Sequence, residues 1–151
     1  MQPKKSTPND SEKQHIMNLH EYQGKEMLNS FGVEIQRGIV AQTPAEAIAA
    51  AKKLTEDTGT GWHVIKAQIH AGGRGKGGGV KLAKNLDEVS QIAGEIIGMH
   101  LVTPQTSAEG KLVSQVLVTE DVYYPGESEP SEFYISVLMN RATGRNMIMY
   151  S

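Results

Sequence analysis

Residues 70–79 read HAGGRGKGGG, and six of these ten positions are glycine, with Arg74 and Lys76 set between them. Such a stretch has little side chain to pack and the greatest backbone freedom to lose on folding, so its flanks decide what it is for. On one side stands VIKAQI (64–69) and on the other GVKLA (79–83), both patterned as strands. Gly73-x-Gly75-x-x-Gly78 matches a dinucleotide fingerprint in letters alone, because that motif needs a helix opening directly from the glycines, and the next helix signal waits until Asn85. The other phosphate-loop motif fails as well, since Lys76 is followed by Gly77 instead of Ser or Thr. What remains is strand, glycine-rich turn, strand.

A hairpin of that kind can lie as a flap over a polyphosphate, because bare backbone lets amide N–H groups approach oxygen atoms and form an anion-binding nest. Alternation along 64–69 sends Ile65, Ala67 and Ile69 to one side and Val64, Lys66 and Gln68 to the other. Lys66 is then a cation within an apolar strand, either snorkelling to the surface or, beside an anion-binding turn, reaching phosphate. The competing reading of 72–79 is a flexible linker or an RGG-like RNA contact. The matched strands on both sides favour the hairpin.

The rest of the chain supplies a frame. Helix signals fall at Asn18 with Glu21, ahead of Tyr22, Leu28 and Phe31 and closed by Gly32; at Thr43-Pro44-Ala45-Glu46, a capping box; and at Asn85 with Glu88, followed by Val89, Ile92, Ala93, Ile96, Ile97 and Gly98. Strands are predicted over 33–40 and 62–69, giving a β-α-β beginning, then over 111–118 and 131–139, with NRATGRN turning into a last strand, MIMYS. A strand ending at Ser151 with no closing helix reads as the front portion of a longer protein. Residues 1–16 are polar and charged and are read as a disordered arm or an added remnant, leaving 17–151 as the folded part.

With 151 residues, 38% of them hydrophobic, one modest core is expected. A net charge of −2 gives no basic footprint for nucleic acid, and no apolar run approaches the ~20 residues of a membrane span. Without cysteine there is no thiolate chemistry, and a reducing, intracellular setting and a soluble protein are expected.

MNLHEYQGKEML (17–28) followed by VIKAQIHAGGRGKGGGVKLA (64–83) resembles the opening of the β subunits of succinyl-CoA synthetases, or succinate–CoA ligases, over residues 17–151. Their nucleotide-binding part is of the ATP-grasp type. The resemblance implies an α+β fold, ATP-grasp-like in its N-terminal part, with a mixed sheet, flanking helices and a Gly-rich β-hairpin flap, truncated at Ser151. It also implies a tricarboxylic acid cycle ligase that interconverts succinate, CoA and ATP or GTP with succinyl-CoA, diphosphate and phosphate. The route runs through a phosphohistidine on a partner α subunit, and the compartment is the bacterial cytoplasm or, in a eukaryote, the mitochondrial matrix. Neither nucleic acid nor membrane is an expected partner.

Family roles carry over where letters match: Lys66 to the α- and β-phosphates, and Gly73, Arg74 and Gly75 over the phosphates. SQVLVTED (114–121) resembles the strand and hinge that meet the base. The family's Val-Glu there becomes Val118-Thr119-Glu120, so the hinge position falls to Thr119 in an ungapped alignment or to Glu120 after a slip of one residue. Glu132 matches the glutamate that receives ribose hydroxyls. YYPGESEP (123–130) is longer than the family's spacing and reads as a surface loop, with Tyr123 and Tyr124 packing in it. His70 is read as a structural loop residue, because the family's phosphohistidine lies on the α subunit. The Asn and Asp that hold Mg²⁺ in the family fall beyond residue 151, so no catalytic or metal-ligating residue is assigned here. The isolated chain is expected to show no ligase turnover and weak nucleotide affinity. The alternatives are another ATP-grasp acyl-CoA ligase, such as malate–CoA ligase or the citrate-cleaving type, or a non-catalytic interaction domain.

Overall fold

The computed structural model describes residues 18–123 and 131–151. The readings of residues 1–16 as an arm and of most of the 123–130 loop, Tyr124 included, therefore lie outside the described residues.

Among the described residues three helices and eight strands follow in order: α1 (Glu21–Ser30), β1 (Gly38–Ala41), α2 (Pro44–Thr58), β2 (His63–Ala67), β3 (Val80–Ala83), α3 (Leu86–Ile96), β4 (His100–Leu101), β5 (Lys111–Leu112), β6 (Val116–Glu120), β7 (Ile135–Asn140) and β8 (Arg145–Tyr150). The capping signals act where they were read for α2 and α3. Thr43 Oγ1 accepts from the Glu46 amide at 3.2 Å, and Asn85 Oδ1 accepts from the Glu88 amide at 2.9 Å. α1 differs. Its N-cap is His20, whose amide donates to Gln23 Oε1 at 2.9 Å, so the Asn18–Glu21 pairing is not used and the Glu21 side chain is left for other work.

The main sheet runs β1-β6-β2-β3, and each neighbouring pair is antiparallel. β1 and β2, joined through α2, both pair with β6, which comes late in the chain and enters between them. The expected β-α-β beginning is thus a split one. The predicted strand over 33–40 is shortened at its start, because the Arg37 amide donates to the Glu120 carboxylate at 2.6 Å instead of to a ladder carbonyl. The predicted strand over 111–118 is divided at residues 113–115: Lys111 and Leu112 pair with β4, while the Gln115 carbonyl accepts from the Gln68 amide and starts the run along β2.

α2 and α3 cover one face of this sheet. The alanines of α2, Ala47, Ala50 and Ala51, let its backbone come close, and with Leu54 they meet Ile65, Ala67, Val116 and Val118 in one buried cluster completed by Val89, Ala93 and Ile96 of α3. Burying this apolar surface is the main stabilising contribution. The opposite face carries Val64, Lys66, Leu117 and Thr119, and α1 lies against its edge near β1. No α1 residue is fully buried. β7 and β8 form a separate hairpin through a turn in which Asn140 Oδ1 accepts from the amides of Ala142 and Thr143 and Gly144 takes φ +65°. Among the described residues no helix is long and apolar enough to cross a membrane.

Candidate functional site

The glycine-rich segment joins β2 to β3, which pair from Lys66↔Val80 to His63↔Ala83, so the strand, turn, strand reading holds and no helix opens from the glycines. Inside the turn the backbone makes one tight loop: the amides of Lys76, Gly77 and Gly78 donate to the carbonyls of Gly73, Arg74 and Gly75, and Gly79 returns to Arg74. As at the start of any helical turn, the first amides have no partner within it. Those of Gly73, Arg74 and Gly75 donate to no acceptor among the described residues, whereas Gly72 is held by Gln105 Oε1 at 2.7 Å. Gly73 sits at φ +74° against Pro104. Three successive unpartnered N–H groups in residues that line a cleft are the makings of an anion-binding nest.

That cleft, about 560 Å³, is lined by Leu19 and Glu21 from the start of α1 and by Ile69 to Gly75, with Val80 and Gln105. Beside it, side chains from three stretches of chain meet on one carboxylate, and a fourth stretch joins through Gln36. Arg74 Nη2 donates to Glu21 Oε2 at 2.7 Å, and Lys66 Nζ to Glu21 Oε1 at 3.2 Å. Lys25 Nζ lies 3.4 Å from Glu21 Oε1. Gln36 Oε1 accepts from both Lys66, at 2.8 Å, and Lys25, at 3.0 Å. The second arm of Arg74, Nη1, donates to the Ala67 carbonyl at 2.6 Å, which folds the guanidinium back under the turn. Burial pushes the Glu21 carboxyl pKa up, yet Lys66 and the hydrogen-bonded Arg74, with Lys25, outweigh it and bring the carboxyl down to about 2. Burial and the neighbouring Lys66 lower the Lys25 ammonium in turn.

Lys66 and Arg74, singled out separately in the sequence, are thus brought to one point under Gly73 and Gly75. Gln36 continues the network, since its Nε2 donates to the Glu120 carbonyl at 2.6 Å, linking Lys66 to the end of β6. Glu120 directs its carboxylate to the Arg37 amide. Thr119 is fully buried between Gly38 of β1 and Val64 of β2, with its hydroxyl 3.3 Å from the Val64 carbonyl, so the hinge reading at Thr119 finds no surface open to a ligand. Glu132 stands apart from the cluster beside Tyr123, and its hydrogen bond is the first cause of a raised phenol pKa there. His70 stacks on His20 with ring centroids 3.9 Å apart, and its carbonyl accepts from Lys111. Lys76 is exposed.

Sequence reasoning missed Glu21, Lys25 and Gln36. In the sequence Glu21 reads as a cap partner, Lys25 as an ordinary helix-surface cation, and Gln36 lies in a run patterned as strand. The useful signal was Gln36 itself, a polar side chain at an inward position between Ile35 and the turn into β1.

Comparison with known proteins follows the same line. Residues 18–151 match the family model described as an ATP-grasp domain. Over 135 residues, 89% of this chain, it is 82% identical to the ADP-forming succinate–CoA ligase subunit beta of Christiangramia forsetii, of which it covers 34%. It is 76% identical to the protein of that name from Flavobacterium johnsoniae and 53% identical to that from Chlorobium limicola, again over 135 residues in each case. The chain therefore spans about a third of the length of these relatives. In shape it is similar to an acetyl-coenzyme A synthetase 1 of Ca. Korarchaeum cryptofilum solved with coenzyme A and Ca-AMPCP, with a TM-score of 0.61 at 20% identity over 88% of this chain and 52% of that one.

Proposed function

Because the chain belongs to the ATP-grasp family, we propose that it is the phosphate-gripping part of the nucleotide site of a succinate–CoA ligase β subunit. The observation that carries this is the meeting of Lys66 and Arg74 beneath three unengaged amides, those of Gly73, Arg74 and Gly75. Phosphoryl transfer asks a protein mainly for positioning and for neutralisation of charge on the phosphate oxygens. In this reading the backbone amides and Arg74 receive oxygens from above, Lys66 receives them from the sheet, and the end of β6 at Glu120 is the side assigned to the base, with Glu132 toward the ribose. The name of the relatives, ADP-forming, favours ATP over GTP, and as a β subunit the chain would work with an α partner, CoA and succinate. Among the described residues no group of three or more His, Cys, Asp or Glu side chains gathers to hold a metal ion, and no metal-holding residue is assigned to residues 18–123 or 131–151.

The test is Lys66→Ala in the complete ligase. Removing a cation from a partly buried phosphate site is expected to weaken nucleotide affinity by about tenfold or more and to lower kcat/KM with it. Unchanged affinity and kinetics would take Lys66, and with it this reading of the site, out of nucleotide binding.

A further inference from the structure

The cluster beside the cleft contains three cations, Lys25, Lys66 and Arg74, and one directly paired anion, Glu21, with Glu120 acting on Lys25 from farther off; the other side chains that contact Glu21 or its lysines, Gln36 and Gln68, are neutral. Positive charge is in excess, and the directly paired carboxylate already sits between the two residues that the proposed nucleotide reading needs. Resting on that reading, we propose that Glu21 is a built-in stand-in for phosphate: in the free protein its carboxylate occupies Lys66 and Arg74, and a nucleotide binds by displacing it.

Three observations carry this. First, both cations are already engaged in the present arrangement. Arg74 uses one terminal nitrogen on Glu21 and the other on the Ala67 carbonyl, and Lys66 divides its donors between Glu21 and Gln36. A phosphate oxygen that drew on both residues would have to come within a few ångströms of the Glu21 oxygens, where like charges repel strongly in a partly buried site. Second, Gln68 is 2% exposed, and its Oε1 has no hydrogen-bond partner among the described residues, while its Nε2 reaches toward Glu21 at 3.5 Å. A buried amide oxygen left unmatched marks an arrangement in which polar groups are not all satisfied, so the cluster around Glu21 is not locked by a complete hydrogen-bond network. Third, the carboxylate is carried on a movable element. Glu21 is the first residue of α1, a helix with no fully buried residue, with Met27 and Leu28 just over half exposed and the C-cap Phe31 more so, so little packing resists its withdrawal.

The displacement links two events. Filling the cleft frees Glu21, and with Glu21 goes a principal tie between α1 and the β2–β3 hairpin, so the position of α1 reports whether the cleft is occupied. Glu21 is in these terms a positioning residue, acting through Lys66 and Arg74 on whatever anion they meet.

The experiment measures binding of tripolyphosphate and of ATP by calorimetry to the full-length subunit as wild type, Glu21→Gln and Glu21→Asp. Loss of the competing charge is expected to tighten Glu21→Gln about tenfold, and Glu21→Asp, which keeps the charge, should stay within about threefold of wild type. Equal or weaker binding by a folded Glu21→Gln overturns the proposal, because a residue that merely props the cations in place would lose affinity when removed. Should Glu21→Gln fail to fold, the wild type decides by carboxyl carbon NMR. Tripolyphosphate is expected to move the Glu21 titration midpoint from about 2 up into the ordinary glutamate range, and an unmoved midpoint overturns the proposal. If the wild type binds neither probe, the nucleotide reading falls and this inference with it. If it binds both through Lys66 and Glu21→Gln changes nothing, only the inference falls.

Discussion

The molecule contains two antiparallel hairpins of similar local design and opposite fate. β2 and β3 alternate side chains across a glycine-containing turn, and so do β7 and β8. In the first, Ile65, Ala67 and Ala83 are sealed completely under α2 and α3. In the second, Ile135, Val137, Met139, Ile148 and Tyr150 share one face with 64–84% of their surface exposed. Period-two patterning is therefore enough to specify a hairpin, but a second layer is needed to make the hairpin rigid enough to hold charged groups in register. The charged cluster is found on the covered hairpin, and the covering layer is what fixes the strand from which Lys66 projects.

The sharpest way to break this comparison is to remove the same atoms from each hairpin. Ile65→Ala leaves a void under two helices and is expected to cost about 3 to 4 kcal/mol, whereas Ile148→Ala should cost about 0.5 kcal/mol or less. Urea unfolding of the two variants measures the difference. Equal costs would mean that the β7–β8 face is covered as thoroughly as the core.

How much of this was legible beforehand follows the same division. The caps of α2 and α3, the hairpin around the glycines and the turn before β8 depend on neighbours within a few residues, and sequence reading found them. The insertion of β6 between β1 and β2, and the division of 111–118 at residues 113–115, are set by which strands meet late in the chain. No local pattern contains that. Lys66 and Arg74 were legible because a cation in an apolar strand and a cation among glycines are both odd. Glu21 was not, because a carboxylate in the first turn of a helix is ordinary, and only the tertiary fold brings it between them.

Acid should separate the hairpins next. The Glu21 carboxyl titrates near 2 in the folded chain against an ordinary 4.5, so the unfolded state binds the proton first as pH falls. Stability from this group is complete above about pH 4.5 and is lost on the way down to about 2, a change of roughly 2 to 3 kcal/mol. A second window lies higher. Burial disfavours the charged imidazole of His63, and burial with the nearby His70 and Arg74 does so for His20, so both have lowered pKa values. Below the ordinary value of 6.5 the unfolded chain takes up these protons and the folded chain resists, which makes stability fall as pH drops through that range. Chemical unfolding at pH 7.5, 5.5 and 3 is expected to show both steps. His63→Gln should shrink the upper one, Glu21→Gln should remove the lower, and amide exchange should rise in β2–β3 while β7–β8 stays unchanged.

Glycine substitutions refine the contrast further. A Cβ at Gly77 would run into the Val102 carbonyl oxygen and Leu101, so Gly77→Ala is expected to cost about 2 kcal/mol by overpacking. At Gly144 a Cβ meets nothing within 4 Å, and only its φ of +65° opposes a side chain, so Gly144→Ala should cost about 1 kcal/mol. Thermal melting ranks the two, and the reverse order would mean that the loop around Gly77 yields more readily than its close contacts imply.

The smallest stability effect belongs to Gly75, and it separates a glycine kept for the fold from one kept for a ligand. Gly75 has negative φ, and a Cβ there would meet nothing within 4 Å, so the folded chain offers no steric reason for glycine at that position. Gly75→Ala should leave the melting transition within about 0.5 kcal/mol of wild type. Yet its amide is one of the three unpartnered ones in residues that line the cleft, and a methyl group beside it narrows the approach of a phosphate oxygen. Nucleotide affinity of the complete ligase is therefore expected to fall about threefold to tenfold with stability intact, a loss on the order of 1 kcal/mol. A variant that loses stability instead would return Gly75 to the fold. One that loses neither would show that the nest accepts its ligand through Gly73 and Arg74 alone.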